Sequence, residues 1–250
     1  MNPLRRPKIA IATGDAGGIG PEISIKSALD PSVRSLCCPI LVSDPALLEK
    51  HAKACGLPSK FCVIERIDRS KLQAQEIVVL DPQFAGAADI ALGEVSASSG
   101  RASLAFARAA IKAALAGTVR AVVAAPQNQK AIAAAGIEFD GYPSFVARET
   151  GLSPHDVFLM LCYGNTKIAH CMLHVSVKEA IALITRERVH RVIAATNGAL
   201  KQLGAPSPVG NIHPAAPLPV ATASHTCSGV PGSSTSRLIS NSRLMVRPFC

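Results

Sequence analysis

Three stretches of this 250-residue chain combine residue types and spacings that could do chemistry. The first is Ile9–Glu22, IAIATGDAGGIGPE, an apolar run leading into Gly14, Asp15, Gly17, Gly18 and Gly20 and then Pro21. Glycine lets backbone N–H groups come close to an anion, and a helix opening near Pro21 would add its positive end. Proline suits that position, because the N–H it lacks would be unpaired at a helix start anyway. The pattern is neither GxGxxG nor a Walker loop, which needs Gly-Lys-Ser/Thr. It reads equally well as a tight strand–helix turn whose glycines only satisfy backbone geometry.

The second stretch is Ala121–Gly136, AVVAAPQNQKAIAAAG. An apolar strand ends at Pro126 and sets Gln127, Asn128, Gln129 and Lys130 beyond its carboxyl end, where open α/β sheets bind ligands. Amides and a lysine suit a polar or phosphorylated substrate, and ordinary loop polarity accounts for them as well. The third is Lys167–Lys178, KIAHCMLHVSVK. His170 and His174 are four apart, share a face of a helix or a strand, and could chelate a divalent metal. Two ligands fall short of a site and no acidic residue adjoins them, so the residues alone favour a structural role.

The elements that must position these residues alternate strand and helix from Lys8 to about Gly204. Short apolar runs predict strands at Lys8–Thr13, Ile40–Ser43, Phe61–Glu65, Ile77–Leu80 and Arg120–Ala125. Helices are expected from about Pro21, over Pro45–Ala54, and over Ser98–Gly117, where Leu104, Ala107, Ile111 and Leu115 repeat at helical spacing. Val157–Cys162 and Ile168–Leu173, joined by Tyr163-Gly164-Asn165, resemble a hairpin. Thr185 caps a last helix with Val189, Val192, Ile193, Thr196, Leu200 and Leu203 on one face. This alternation argues an α/β layer fold with a mostly parallel sheet.

Composition narrows the function. A mean hydropathy of +0.29 with 17% charged residues excludes a chain disordered throughout. The apolar stretch Phe106–Ala125 is cut by Arg108, Lys112 and Arg120, so no membrane span is expected. No secretory leader is legible at the start, and the eight cysteines show no CxxC, which points to reduced thiols in the cytoplasm. The net charge of +9 could serve an anionic partner. Nucleic acid is not expected, because the nine aromatics form no basic-aromatic stripe. Arg101, Arg108 and Lys112 read as a solvated helix face. After Gly204 the character changes: residues 205–250 contain no Asp, Glu or Lys but seven Pro and eight Ser. Two regions are therefore expected, an α/β region over 1–204 and an irregular, disordered or aberrant tail over 205–250.

Taken in order, these segments resemble the 4-hydroxythreonine-4-phosphate dehydrogenase family. The family reads T-x-G-D-P-A-G-I-G-P-E near its start, and Thr13–Glu22 match with Ala16-Gly17 in place of Pro-Ala. Gly136 follows Pro126 at the family's distance of ten. Where the family has G-H-T-E-F, this chain has Gly141-Tyr142-Pro143-Ser144-Phe145. The family's strand ending in a metal-binding histidine before a helix start is matched by His174, Lys178 and Glu179, and Ile184-Thr185-Arg186 also fits. The resemblance covers about Lys8–Gly204.

The resemblance implies a two-domain α/β/α fold like that of isocitrate and isopropylmalate dehydrogenases, incomplete here at the C-terminus. It implies a homodimer that oxidises a secondary alcohol with NAD and then decarboxylates a hydroxy-acid substrate, on the route to pyridoxal phosphate. A divalent metal (zinc, magnesium or cobalt) would polarise the hydroxyl. Carried over residue by residue, His174 is the metal ligand, and Asn128, Lys130, Tyr142 and Pro143 bind substrate. Gly14, Asp15, Gly18 and Gly20 form the glycine loop. Tyr142-Pro143 replaces the family's His-Thr, and Gln129 stands where the family has lysine, with Lys130 beside it. Both features resemble a sister branch that oxidises a dihydrodiol dicarboxylate in aromatic degradation.

The family's later N-P-H-A-G-E, H-D-Q and H-G-T-A segments, which supply further metal histidines and NAD contacts, have no match in residues 205–250. Impaired catalysis, or a catalytically dead binding or subunit-interaction protein, is then the expectation for this chain. Resequencing across the codons for Leu203–Gly210 tests the tail. A shifted frame carrying those segments would make residues 205–250 a misreading, and its absence would make them genuine.

Overall fold

The computed structural model describes residues 6–67, 76–153, 156–173 and 175–204, together with the backbone of four short strands beyond them. The chain divides into two units, Met1–Phe139 and Asp140–Pro248. The first unit opens with β1 (Lys8–Ala12), α1 (Gly20–Leu29), α2 (Pro31–Leu36), β2 (Cys38–Val42), α3 (Pro45–Ala54) and β3 (Phe61–Ile64). It continues with β4 (Ile77–Leu80), α4 (Ala97–Leu115), β5 (Ala121–Ala124) and α5 (Gln129–Ala134). The five strands are parallel in the order β3-β4-β2-β1-β5.

These strands read IAIA, PILV, IVVL and AVVA because a parallel sheet covered by helices must be apolar on both faces. One face presents Ile11, Leu41, Ile77, Val79 and Val123 to Ile25 and Ala28 of α1 and Leu48 and Ala52 of α3. By the alternation of a strand, Ala10, Ala12, Ile40, Val42, Val122 and Ala124 face the other way, all buried. Helix α4 packs against β1, β2 and β5. The helix starts obey capping chemistry. Asp44 accepts the N–H of Leu47 at 2.8 Å to start α3, and Ser96 and Ser99 close a reciprocal box at the start of α4. Arg101, Arg108 and Lys112 are exposed, as a solvated face requires, and α4 stops before Gly117, whose φ of +70° suits glycine.

The second unit begins with α6 (Tyr142–Thr150) and the hairpin β6 (Val157–Tyr163) and β7 (Thr166–Ala169), followed by α7 (Val177–Leu183) and α8 (Arg186–Gln202). The hairpin is antiparallel about Gly164, with Tyr163 opposite Thr166. Alternation along β6 turns Phe158, Met160 and Cys162 toward α8, where Val192, Ala195, Ala199 and Leu200 meet them and Cys171. Cys162 and Cys171 are buried core thiols. Arg188 of α8 is buried too. Its Nε donates to the carbonyl of Cys171 at 2.7 Å, and its guanidinium lies 5.7 Å from the ring centre of Phe158.

The structure differs from the sequence expectation in two respects. Helices α2, α5 and α6 were not legible, because two have only six residues and α6 opens on Gly141 with no side-chain cap. The tail contributes β8 (Gly210–His213), β9 (Val220–Ser224), β10 (Thr235–Ser240) and β11 (Met245–Pro248) where an irregular segment was expected. Strand β10 pairs with β6, and β9 with β7, both antiparallel. Short runs such as VATAS carry enough β-branched residues for strand pairing. Among the described residues no helix is long and apolar enough to cross a membrane.

Two glycines in helices give a paired test of this packing. A Cβ at Gly100 in α4 would lie 2.2 Å from the carbonyl oxygen of Ala131, whereas one at Gly198 in α8 meets nothing within 4 Å. Gly100→Ala should lose about 1–3 kcal/mol by prising α5 from α4. Gly198→Ala should gain about 0.4–1 kcal/mol through lower unfolded-chain entropy. Urea unfolding of the two variants measures both signs.

Candidate functional site

Register decides which loops of the first unit can meet. Ala12 pairs with Val42 on one side and with Ala124 on the other, so β1, β2 and β5 end level. The chain leaves β1 toward β2 and later returns through α4 to β5 on the opposite flank, which makes the β1/β5 boundary the topological switch point. The glycine loop and the proline loop both start there. Ala125 donates its N–H to Ala12 at 2.9 Å, and Asp15 donates its N–H to the carbonyl of Pro126 at 2.9 Å. Two of the three stretches singled out by sequence are therefore stitched together.

The glycines are required by close backbone approach. Gly14 has φ +70°, and a Cβ on it would lie 2.2 Å from the oxygen of Pro126. A Cβ on Gly20 would lie 2.0 Å from the oxygen of Thr13, and one on Gly18 would lie 2.8 Å from a carboxylate oxygen of Asp15. The buried Asp15 carboxylate accepts the N–H of Gly17 at 3.2 Å, so it takes a donor that an anion cradle would offer. Glu22 sits in the first turn of α1, and its bond to Lys26 holds its carboxyl below the ordinary carboxylate range. Acidic groups thus occupy the positive end of α1. Of the two readings left open by sequence, the geometry is that of a closed turn.

That turn is braced by residues the sequence reading missed. His51 Nε2 lies 2.8 Å from the carbonyl oxygen of Ala16, and Lys50 donates to the carbonyl of Ile90 at 2.8 Å. Gly93 returns its N–H to the carbonyl of Gly17 at 2.7 Å. A signal for His51 was present: it lies on one helical face with Leu47, Leu48 and Ala52, an apolar stripe that had to point inward.

Past Pro126, Asn128 caps α5 by accepting the N–H groups of Lys130 and Ala131 at 3.0 and 3.2 Å. That bond leaves its amide NH2 for other partners, and the side chain of Lys130 is exposed beside it. Gln127 is the anomaly of this loop. Both polar atoms of its carboxamide are buried without a hydrogen-bond partner among the described residues, a cost that a polar ligand group or an ordered water would relieve.

In the second unit, Tyr142 and Pro143 form the first turn of α6 behind Gly141, whose φ is +126°. Burial raises the Tyr142 phenol far above its ordinary value, so it stays protonated as a hydrogen-bond donor. His170 extends the hairpin, donating its N–H to Leu159 at 2.9 Å, with Nδ1 3.3 Å from the same carbonyl oxygen. His174 lies outside the described residues. Among the described residues no three His, Cys, Asp or Glu side chains come together to hold a metal, and a catalytic site needs about three protein ligands. The described residues therefore fit neither a divalent metal by themselves nor, with the glycine loop closed, an NAD phosphate at that loop.

A doubly wound parallel unit with polar loops meeting at its switch point, followed by a hairpin unit, defines an α/β protein of the open-sheet class. The chain belongs to the family described as pyridoxal phosphate biosynthetic protein PdxA, whose pattern matches residues 35–212. It is 34% identical over 204 residues to a 1,2-dihydroxy-3,5-cyclohexadiene-1,4-dicarboxylate dehydrogenase of a Comamonas species, covering 80% of this chain and 59% of that one. It is 30% identical over 202 residues to the D-threonate 4-phosphate dehydrogenase of Cupriavidus necator, covering 81% and 60%. The crystal structure of a 4-hydroxythreonine-4-phosphate dehydrogenase from Burkholderia phymatum superposes with a TM-score of 0.71 at 29% identity, covering 81% of this chain and 61% of that one. The chain thus spans about 60% of the length of these relatives.

Gly14 and Gly117 share a φ of +70°, but only Gly14 faces backbone. Gly117→Ala should cost about 1–2 kcal/mol for the left-handed conformation alone. Gly14→Ala should cost about 3 kcal/mol or more, because its Cβ also overlaps Pro126. Equal losses in denaturant melts would show that the two loops are not in contact.

Proposed function

We propose that the chain carries the substrate-binding part of an NAD-dependent, divalent-metal-assisted dehydrogenase. Its substrate would be a hydroxy acid, 4-hydroxythreonine 4-phosphate or a close relative, oxidised and decarboxylated by a homodimer in pyridoxal phosphate (vitamin B6) biosynthesis. The observation that supports this is the junction of the glycine loop with the Pro126–Lys130 loop at the switch point, in a chain of this family. In this reading the Lys130 ammonium takes the anionic end of the substrate, and the Asn128 amide donates beside it. Tyr142 donates from its protonated phenol, and Pro143 fixes the turn that presents it. His174 would serve as a single metal ligand. The described residues supply no three-ligand set, so we infer that this chain binds its substrate without turning it over.

A second substrate is favoured by Tyr142-Pro143 and by the Comamonas relative: a dihydrodiol dicarboxylate, whose carboxylate would take the place of the phosphate at Lys130. A non-catalytic binding role draws support from α7, which exposes Val177 and Ile181 one turn apart.

Calorimetric titration with 4-hydroxythreonine 4-phosphate, D-threonate 4-phosphate and the dihydrodiol dicarboxylate tests the assignment, alongside NADH formation with added metal. Binding of one of them, weakened about tenfold or more in Lys130→Ala, is the expected result, with no NADH produced. No binding of any of the three overturns the substrate assignment. Robust NADH formation overturns the inference that the chain lacks turnover.

A further inference from the structure

The opposite edge of the parallel sheet, where the strands begin, gathers charge that the proposed function does not use. Lys8 and Cys38 open β1 and β2 and pair directly in register. The edge is tied by the N–H of Cys38 to Pro7 at 2.9 Å and by the N–H of Arg120 to Lys8 at 2.8 Å. Because α2 has only six residues and runs straight into β2, it delivers Arg34 to the same corner. Arg6 donates through Nη1 to the carbonyl of Arg34, and Arg34 donates through Nη2 to the carbonyl of Glu76 at 3.0 Å. These bonds hold the two guanidinium planes, and among the described residues they leave most of the five N–H donors of each unspent. The Nε of Arg6 is buried without a hydrogen-bond partner among the described residues.

Among the described residues no carboxylate pairs with the cations of this corner, Arg6, Lys8 and Arg34, and Glu76 pairs instead with Lys60 at 3.9 Å. Cys38 lies at this corner: register sets Lys8 directly opposite it, its own N–H bonds Pro7 next to Arg6, and Arg6 reaches the carbonyl of Arg34 four residues before it. The three cations are half-buried, so solvent screens them less than the exposed basic face of α4.

We propose that Arg6, Lys8 and Arg34 form an anion site beside Cys38, and that it takes a phosphate-type dianion. Two guanidinium forks suit the oxygen pairs of a tetrahedral oxyanion, and the ammonium of Lys8 adds a point charge. Three cations gathered at one corner, without stacking aromatics, select a compact anion over a nucleic-acid strand. The site is separated from the glycine loop by the length of the strands, so it stands or falls independently of the substrate assignment.

Cys38 is the reporter. Burial keeps its thiol above the ordinary value despite the cations, and a dianion beside it would disfavour the reactive thiolate further and cover it. Iodoacetamide labelling read by mass spectrometry, in inorganic phosphate against chloride at equal ionic strength, tests the site. Phosphate should slow labelling of Cys38 saturably, by about fivefold or more, and leave the exposed Cys55 unchanged. The protection should vanish in Arg34→Gln and in Lys8→Gln, the second of which leaves the Arg34–Glu76 bond untouched. Stronger protection by glycerol phosphate than by inorganic phosphate would make the occupant a phosphorylated metabolite, and equal protection would make it free phosphate. An equal effect of chloride, no saturation, or protection that survives in Lys8→Gln would overturn the proposal.

Discussion

Strand β1 is bonded along both edges, to β2 and to β5, and the first unit is organised around that double pairing. Because all three strands run parallel and end level, their outgoing loops emerge side by side. Thr13 donates to Val42 on one flank, and Asp15 donates to Pro126 on the other. The glycine loop is thus clamped between its neighbours before any ligand arrives. A slip in either register would separate Asp15 from Pro126, and the switch point would lose its polar floor.

The clamp explains a glycine pattern that composition leaves ambiguous. A phosphate cradle needs open N–H groups and little negative charge. Here the Asp15 carboxylate takes the Gly17 N–H, and carbonyl oxygens of Pro126 and Thr13 occupy the space that side chains at positions 14 and 20 would need. The loop works as a rigid joint, with His51 and Lys50 of α3 holding it from one side and the Ile90–Glu94 segment closing it from another. Beside the joint stands the buried amide of Gln127, which has no hydrogen-bond partner among the described residues, at the carboxyl end of the sheet.

The second unit follows different rules. Its hairpin and α8 form a core in which one cation is buried: Arg188 gives its Nε to a backbone carbonyl and rests its charge over Phe158. The histidine that precedes this core by sequence, His170, is turned to Leu159 of the neighbouring strand. These contacts stabilise the hairpin end and the carbonyl of Cys171 just beyond it.

Much of the fold was legible in the sequence. The apolar runs at Ile77–Leu80 and Pro45–Ala54 became β4 and α3 at the same bounds, and the hairpin turned at Gly164. These features depend on local periodicity and turn chemistry, which a few neighbouring residues settle. Helices α2 and α5 escaped because six residues carry too little periodicity, and the buried places of His51 and Arg188 escaped because polarity alone argued for solvent. The sequence by itself determined the α/β class, the family resemblance and three candidate stretches whose residue types could do chemistry. Only the tertiary structure decided that the glycine loop is closed and that Arg6, Lys8 and Arg34 meet at one corner of the sheet. The physical reason is distance along the chain: Gly14 meets Pro126, and Arg6 meets Arg34, only once strand register has brought remote segments into contact.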